Sequence, residues 1–550
     1  MPRIETLSLE EKVGQLIVPG AHGTFMNETS PQFRRLEREV RELQVGGFIW
    51  FVSNVYETAM LNRKLQEMSR IPLLISADLE AGIGMRFLDT TFWPPAMAVA
   101  ATGDPSLAER EGRMVAIEAR ALGINHILAP VVDVNVDPDN PVINARSFGE
   151  DPETVARFAS AFIRGVQSEG LLATAKHFPG HGDTHVDSHR SLPVLEVTRE
   201  RLEEVELVPF RAAIEAGVAS VMIGHLSVPA LDPTPAPRVH AEGRVNPYVD
   251  GEPEAPEKAT LPATLSRPII EGLLRHELGF RGLVVSDAFD MGGLTEHFDP
   301  GEAAVRAIEA GEDQVLMSPD VQAARDAILR AVREGRIAES RIDESVARIL
   351  EAKSRVRFDV ADPDEIFRIV DSEESRTLAA EIAQKSITLV RDENRALPLR
   401  ADQRVVTVVI SDFVEASNPL AQLDREMKKR LGDRSRLFVL DGRAGEADAA
   451  KILDLARQAD AIVIALAIRA RSGAGRLAMP ELGRSLVDRL LALEKTTATV
   501  SFGTPYILRE LPAAKTYLCA WGPQPVLQTA AARALFGEAP ITGTLPVTIR

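Results

Sequence analysis

LATAKHFPGHGDTHVDSHRSLP, residues 172–193, changes character at one point. Its first seven residues are a short, mostly apolar run stopped by Pro179-Gly180, which reads as a buried strand. A polar loop comes next. Lys176 and His177 therefore sit where the strand gives way to the loop. Six further runs of the same kind flank it: VGGFIWFV (45–52), PLLISAD (72–78), NHILAPVVDV (125–134), ASVMIGHL (219–226), GLVVSDAF (282–289) and DQVLMSP (313–319). Amphipathic helical stretches separate them, the pattern of parallel strands joined by crossover helices. Nearly every run ends on a polar or ionisable residue, among them Asp78, Asp133, Lys176, His177, His225 and Asp287. In a barrel of parallel strands the carboxyl ends share one face, where the catalytic groups of such folds sit. Seven runs are one short of the usual eight, so the eighth strand is expected before residue 45 or in irregular form.

The chain has 550 residues, more than one hydrophobic core normally supports. A helical tract, DESVARILEAKSRV and then EESRTLAAEIAQKSITLV, leads away from the barrel region. Beyond it a second alternating series begins: VVTVVISDF (405–413), RLFVLDG (436–442), DAIVIALAI (460–468), TTATVSFGTP (496–505) and KTYLCAWG (515–522). Strands alternating with helices predict a smaller α/β domain of three layers. The expected division is a barrel over 1–355, a connection over 356–400 and a sandwich over 401–550. Residues 228–264, rich in Pro, Gly and Glu and without hydrophobic period, read as a long loop on the barrel's catalytic side. No strand-associated G-x-G-x-x-G and no phosphate-binding G-x-x-x-x-G-K-[ST] occurs, so a nucleotide site has little support.

Sixty-three basic residues face 80 acidic ones, a net charge of −17. That sign argues against nucleic acid or an anionic membrane as partner. Cys519 is the single cysteine, which excludes an intrachain disulfide and a cysteine-rich metal site. The N-terminal MPRIETLSLEEKVGQLIV carries charges where a signal peptide needs an apolar run, and no stretch reaches the ~18 apolar residues of a membrane span. Both point to the cytoplasm.

Residues 176–193 also hold the densest polar cluster: His177, His181, His185 and His189 with Asp183, Asp187 and Lys176. Three readings are open: a solvated loop, a metal site and a catalytic loop. Histidine and aspartate are good ligands for zinc or iron. Against a metal stand the Lys176 charge and the lack of helical H-x-x-x-H spacing.

The pattern K-H-F-P-G-H-G-D-T-x-x-D-S-H-x-x-L-P resembles the signature of family 3 glycoside hydrolases, in their branch of two-domain bacterial β-N-acetylglucosaminidases. ADLEAG (77–82), DPDNPVINARSFGEDP (137–152), VMIGHLSVPALDP (221–233), GLVVSDAFDM (282–291), SITLVRDENRALPL (386–399) and the terminal TGTLPVTI agree in order. The resemblance implies a (β/α)8-like TIM barrel followed by an α/β sandwich. It also implies retaining hydrolysis of terminal β-linked N-acetylglucosamine from muropeptide or chitin-type fragments, with no metal and no cofactor. The partner is then a small carbohydrate.

On local sequence Asp287 serves equally as a helix cap or a nucleophile; the resemblance makes it the nucleophile, which attacks the anomeric carbon and forms a covalent glycosyl-enzyme. It makes His189 the general acid/base, paired with Asp187. Their i, i+2 spacing puts both side chains on one side of an extended segment, so that the carboxylate can orient the imidazole. Sugar-binding roles fall on Asp78, Arg86, Arg146, Lys176, His177 and His225. The alternatives are a surface ion pair for Arg146 and a packed barrel residue for His225. One departure concerns the family form D-Q-E-G-G-R, which here reads Asp78-Leu79-Glu80-Ala81-Gly82-Ile83. Loss of the first glycine and of the arginine puts the loop's shape and one polar contact in question. Rival activities are phosphorolysis of the same bond, a related β-glucosidase, and metal-dependent hydrolysis through the histidine loop.

Overall fold

A computed structural model describes residues 1–237, 259–470 and 477–549. Its first sheet contains β1 (Ile17–Val18), β2 (Gly20–Ala21), β3 (Gly47–Trp50), β4 (Leu74–Ala77), β5 (His126–Ile127), β6 (Leu172–Phe178), β7 (Ser220–Ile223), β8 (Leu283–Ala288) and β9 (Gln314–Leu316). All pairings are parallel, in the order β1-β9-β8-β7-β6-β5-β4-β3-β2.

The two ends of this sheet are one piece of chain. The carbonyls of Leu16 and Val18 accept from Val315 and Met317, next to β9, while those of Ile17, Pro19 and Ala21 accept from Gly46, Ile49 and Phe51, beside β3. Successive carbonyls thus bond to opposite neighbours, as in any strand with a partner on each side. Residues 17–21 are the eighth strand, split at Pro19, which has no N–H to donate. The barrel closes, and the strand missing from the sequence pattern lies before residue 45.

Crossover helices start where the sequence marks them. Asp104 and Asp151 accept from Ser106 and Thr154 N–H groups and precede Pro105 and Pro152, the first residues of helices Pro105–Ala121 and Pro152–Ser168. Strand residues of both faces are buried, as expected when side chains fill the barrel inside and helices cover it outside.

The second sheet consists of β10 (Thr388–Asp392), β11 (Val405–Ser411), β12 (Ser435–Leu440), β13 (Ala461–Ala467), β14 (Thr496–Ser501) and β15 (Thr516–Cys519). Its order is β10-β15-β14-β13-β11-β12, parallel except for β10 against β15. β10 corrects the sequence reading, in which ITLV closes a helical tract. The helix ends at Ser386, and the Thr388–Asp392 segment, with β-branched Thr388 and Val390, pairs along β15 instead. Alternate residues of β13 enter different cores. Ile462, Ile464 and Leu466 pack on one face, and Val463 and Ala465 on the other, giving three layers. Met97, Ala98 and Ala101, on a helix of the barrel region, belong to the first of these cores, so the two domains share apolar packing.

The segment 228–264 follows β7, at the carboxyl-end face. Its limbs pair, Ala236 N–H donating to Ala259 O and Leu261 N–H to Thr234 O. The middle of the loop, 238–258, lies outside the described residues. No helix among the described residues is long and apolar enough to cross a membrane.

Candidate active site

Asp287 is near the carboxyl end of β8, and its Oδ1 accepts the Ala288 N–H at 2.8 Å. Burial pushes this carboxyl up. His177, His225, the Ala288 N–H and His189 outweigh it, and the group ends below the ordinary carboxylate range. Asp287 is therefore an anionic carboxylate at neutral pH.

His189 reaches the same cavity from the loop after β6. Its ring Nδ1 and its backbone N–H both lie on Asp187 Oδ1, at 2.8 and 2.9 Å, and Asp187 is buried. The loop is tied to the exit of β8: Gly292 N–H donates to His189 O at 3.1 Å and Gly293 N–H to Ser188 O at 3.0 Å. His189 is therefore placed relative to Asp287 by main-chain bonds between their two segments.

The sugar-binding candidates form an ionic cluster. Lys176 Nζ lies 2.7 Å from Asp78 Oδ1 and 2.7 Å from Glu80 Oε1. Arg146 grips Glu80 with two bonds of 2.8 Å, Nε on Oε2 and Nη2 on Oε1, and Arg86 donates to Asp78. Burial pushes the Asp78 and Glu80 carboxyls up, yet the cations around them hold both below the ordinary range. The Lys176 ammonium is pushed down by burial and held up more strongly by the two carboxylates. All five side chains are charged and already oriented, which suits hydroxyl recognition by charge-assisted bonds. Arg146 is thus in a partly buried ion pair within the cavity, not in a surface one.

Glu80 is a site residue that sequence reasoning did not single out, although it stands inside ADLEAG. The altered loop around it keeps its turn. Gly82 has φ +72°, and a Cβ there would fall 2.1 Å from the Trp93 ring. Ile83 is buried, and the guanidinium near Asp78 comes from Arg86, which also stacks 4.8 Å above Phe51.

Of the four loop histidines, His177, His181 and His189 line the cavity and His185 does not. His177 lines the cavity with Nδ1 on Asp133 Oδ2 at 2.8 Å, and the other Asp133 oxygen accepts the backbone N–H groups of His177 and His181. His181 lies between Thr184 and Ser188, and burial lowers it to about 4, so it is neutral at pH 7. His185 is 79% exposed and pairs with Asp137 outside the cavity. The structure does not bring His225 to the cavity lining. It is fully buried, with Nε2 donating to Ala288 O at 2.9 Å and Nδ1 3.0 Å from Thr264 Oγ1, and burial lowers its pKa. Its place is beside the strand that carries Asp287, where it can orient that strand rather than touch a sugar. Among the described residues no three His, Cys, Asp or Glu side chains are grouped to hold a metal.

The cavity has a volume of about 510 Å³. One side is the barrel's carboxyl-end face. The other comes from the second domain through Arg469, Gly503, Thr504, Trp521 and Gln524, near the carboxyl ends of β13, β14 and β15. Asn135 Nδ2 donates to the Tyr506 hydroxyl at 3.0 Å, and Thr544 N–H to Ala101 O at 2.9 Å, fastening the domains beside it.

Residues 8–352 match the glycosyl hydrolase family 3 N terminal domain and residues 387–550 the glycosyl hydrolase family 3 C-terminal domain. A beta-N-acetylglucosaminidase/beta-glucosidase of Cellulomonas fimi is 31% identical over 553 residues, spanning 98% of this chain and 93% of that protein. The solved structure of a family 3 β-N-acetylglucosaminidase from Paenibacillus sp. str. FPU-7 is 34% identical, with a TM-score of 0.84 over 99% of both chains. A beta-glucoside phosphorylase bound to 2FGlc is 26% identical, with a TM-score of 0.85 over 99% of this chain and 95% of its own.

Proposed function

The chain belongs to glycosyl hydrolase family 3, and from that premise we propose that it removes terminal β-linked N-acetylglucosamine with retention, Asp287 acting as nucleophile and His189 as acid/base. The observation that carries this reading is the Asp187-held imidazole on a loop bonded to the segment that follows Asp287. The names of the Cellulomonas and Paenibacillus relatives support the choice of sugar.

In the first step the Asp287 carboxylate attacks the anomeric carbon while the His189 imidazolium gives its Nε2 proton to the departing oxygen. Nδ1 stays on Asp187. The products of this half are the free leaving group, a glycosyl ester on Asp287 and a neutral imidazole. In the second half that imidazole takes a proton from water, whose oxygen displaces Asp287 from the anomeric carbon. Two displacements restore the β configuration. An imidazole suits the second half because it is uncharged when the acceptor arrives, so no second carboxylate stands beside Asp287. Asp78, Lys176, His177, Arg86 and Arg146, with Glu80 as their anchor, hold the sugar hydroxyls and the 2-acetamido group. The fitting substrates are muropeptide or chitin fragments met in the cytoplasm during cell-wall recycling.

The neutral imidazole also favours a second reading, phosphate as acceptor, since it does not repel an anion. Lys176, Arg86 and Arg146 are already committed to carboxylates, so water is the acceptor we assign. Turnover of N-acetylglucosaminides in phosphate and in a phosphate-free buffer of equal ionic strength tests this. Free N-acetylglucosamine is expected in both; its 1-phosphate as main product would replace hydrolysis by phosphorolysis, and no turnover would remove the reading.

A further inference from the structure

The second domain supplies one cavity side chain whose oxygen has no partner among the described residues. Gln524 is 6% exposed and lines the cavity, and its Oε1 is buried with no hydrogen-bond partner among the described residues. A buried amide oxygen without a partner costs stability, and native proteins keep few.

The turn that carries it is built at a further cost. After β15 the chain passes through Ala520, Trp521, Gly522 and Pro523 before helix Pro525–Leu535 begins. Trp521 has φ +68°, a conformation that bulky L-residues rarely adopt and that concentrates at functional sites. It is fixed by its indole Nε1–H, which donates to Ser386 O at 2.7 Å, while Gly522 N–H donates to Ala520 O at 2.8 Å. Gly522 leaves room for that amide: a Cβ there would lie 2.0 Å from Gln524 Oε1 and would displace the end of the side chain. Leu527 and Gln528 N–H groups hold the Gln524 carbonyl from the helix side. Strain, a missing side chain and a helix end thus converge on the placement of one unsatisfied amide.

We propose that Gln524 is a specificity-determining residue that hydrogen-bonds a hydroxyl of the leaving-group sugar. The proposal rests on the glycosidase reading. The barrel's ionic cluster takes the non-reducing sugar, which leaves the second-domain side of the cavity for the departing one. A half-turn of the amide offers either a carbonyl or an NH2, which matches a hydroxyl, itself both donor and acceptor.

The test compares N,N′-diacetylchitobiose with phenyl β-N-acetylglucosaminide, whose leaving group carries no hydroxyl toward the enzyme. In Gln524→Met the ratio of kcat/KM for disaccharide over phenyl glycoside falls about 5-fold, what one neutral hydrogen bond contributes, and most of the change is in KM. Gly522→Ala, which displaces the same amide, lowers the ratio in the same direction. An unchanged ratio in Gln524→Met, whether both activities fall equally or neither falls, overturns the proposal. Wild-type protein that cleaves neither substrate refutes the glycosidase reading itself, and this proposal with it.

Discussion

Replacing Glu80 by Gln keeps the shape of the side chain and removes one charge from the cluster around Lys176. Glu80 accepts three charge-assisted bonds, two from Arg146 and one from Lys176. The amide retains one acceptor and turns an NH2 toward donors. Lys176 keeps Asp78 at 2.7 Å, but Arg146 loses its carboxylate partner: whichever way the amide turns, one guanidinium N–H faces the NH2, and only a single neutral acceptor is left beside Val142 O. The damage therefore falls on Arg146. Removing one partner of a buried ion pair costs about 3–5 kcal/mol, and the partial exposure of Arg146 favours the lower end, about 3 kcal/mol. Expressed wholly in substrate recognition, that is roughly a 150-fold loss in kcat/KM. Since a misplaced Arg146 weakens binding before and during the reaction, KM should rise more than kcat falls. Steady-state kinetics and urea unfolding of both proteins measure the two shares. The Glu80 carboxyl is held below its unfolded value, so its contribution to stability is complete above about pH 4.5 and is lost as pH falls toward the folded value. Hence the difference between wild type and variant should be constant through neutral pH and shrink in acid. A variant within about 2-fold of wild type in kcat/KM, with the same unfolding midpoint, would refute the claim that Glu80 anchors the sugar-binding cations.

Three further outcomes are expected from other parts of the molecule. His189→Ala should lower kcat/KM on a disaccharide by about 10²–10⁴-fold and less on a nitrophenyl glycoside, which needs little protonation; equal losses would argue against a general acid. Glu118 is buried, accepts from Asp371 N–H and Ser375 Oγ–H, and is raised by burial to about 7. Its folded pKa exceeds the unfolded one, so wild-type stability declines as pH rises from about 4.5 to about 7, and Glu118→Gln should flatten that part of the curve; an unaltered slope in thermal melts would count against it. Activity should survive EDTA, because a carboxylate and an imidazole complete the acid, base and nucleophile set without a Lewis acid; inhibition by chelator together with one tightly bound metal per chain would favour a metallohydrolase.

Seven barrel strands are legible in the sequence because each is a short, mostly apolar run, nearly all with a polar or ionisable residue at or near the end. The eighth is not. QLIVPGA, around residues 15–21, is short, is broken by Pro19 and comes directly after helix Leu9–Gln15, so neither its length nor its period marks a strand. Pairing with β3 and β9 identifies it, and that is a long-range property. The proposed catalytic loop is legible for the opposite reason, since its residues and spacing lie within one stretch. Glu80 was hidden by its partners: Lys176 is 96 positions away and Arg146 is 66, and no local pattern links them. His225 was legible as a strand-end imidazole, but its direction was not, because that depends on Ala288 and Thr264 packing against it. The second-domain wall obeys the same rule. Sequence places Trp521 at the end of a strand run and Gln524 just beyond it, and only the docking of the two domains, through the shared core at Met97, Ala98 and Ala101, turns that strand end toward Asp287.

The central claim is a covalent bond between Asp287 and the sugar. Its most direct test is to load the enzyme with a 5-fluoro-N-acetylglucosaminyl fluoride, which slows breakdown of the intermediate, then digest the protein and locate the adduct by mass spectrometry. The expected result is one added glycosyl mass on the peptide containing Asp287 and none in Asp287→Ala. A stable adduct on another residue, or turnover to the α-anomer with no adduct, would contradict it.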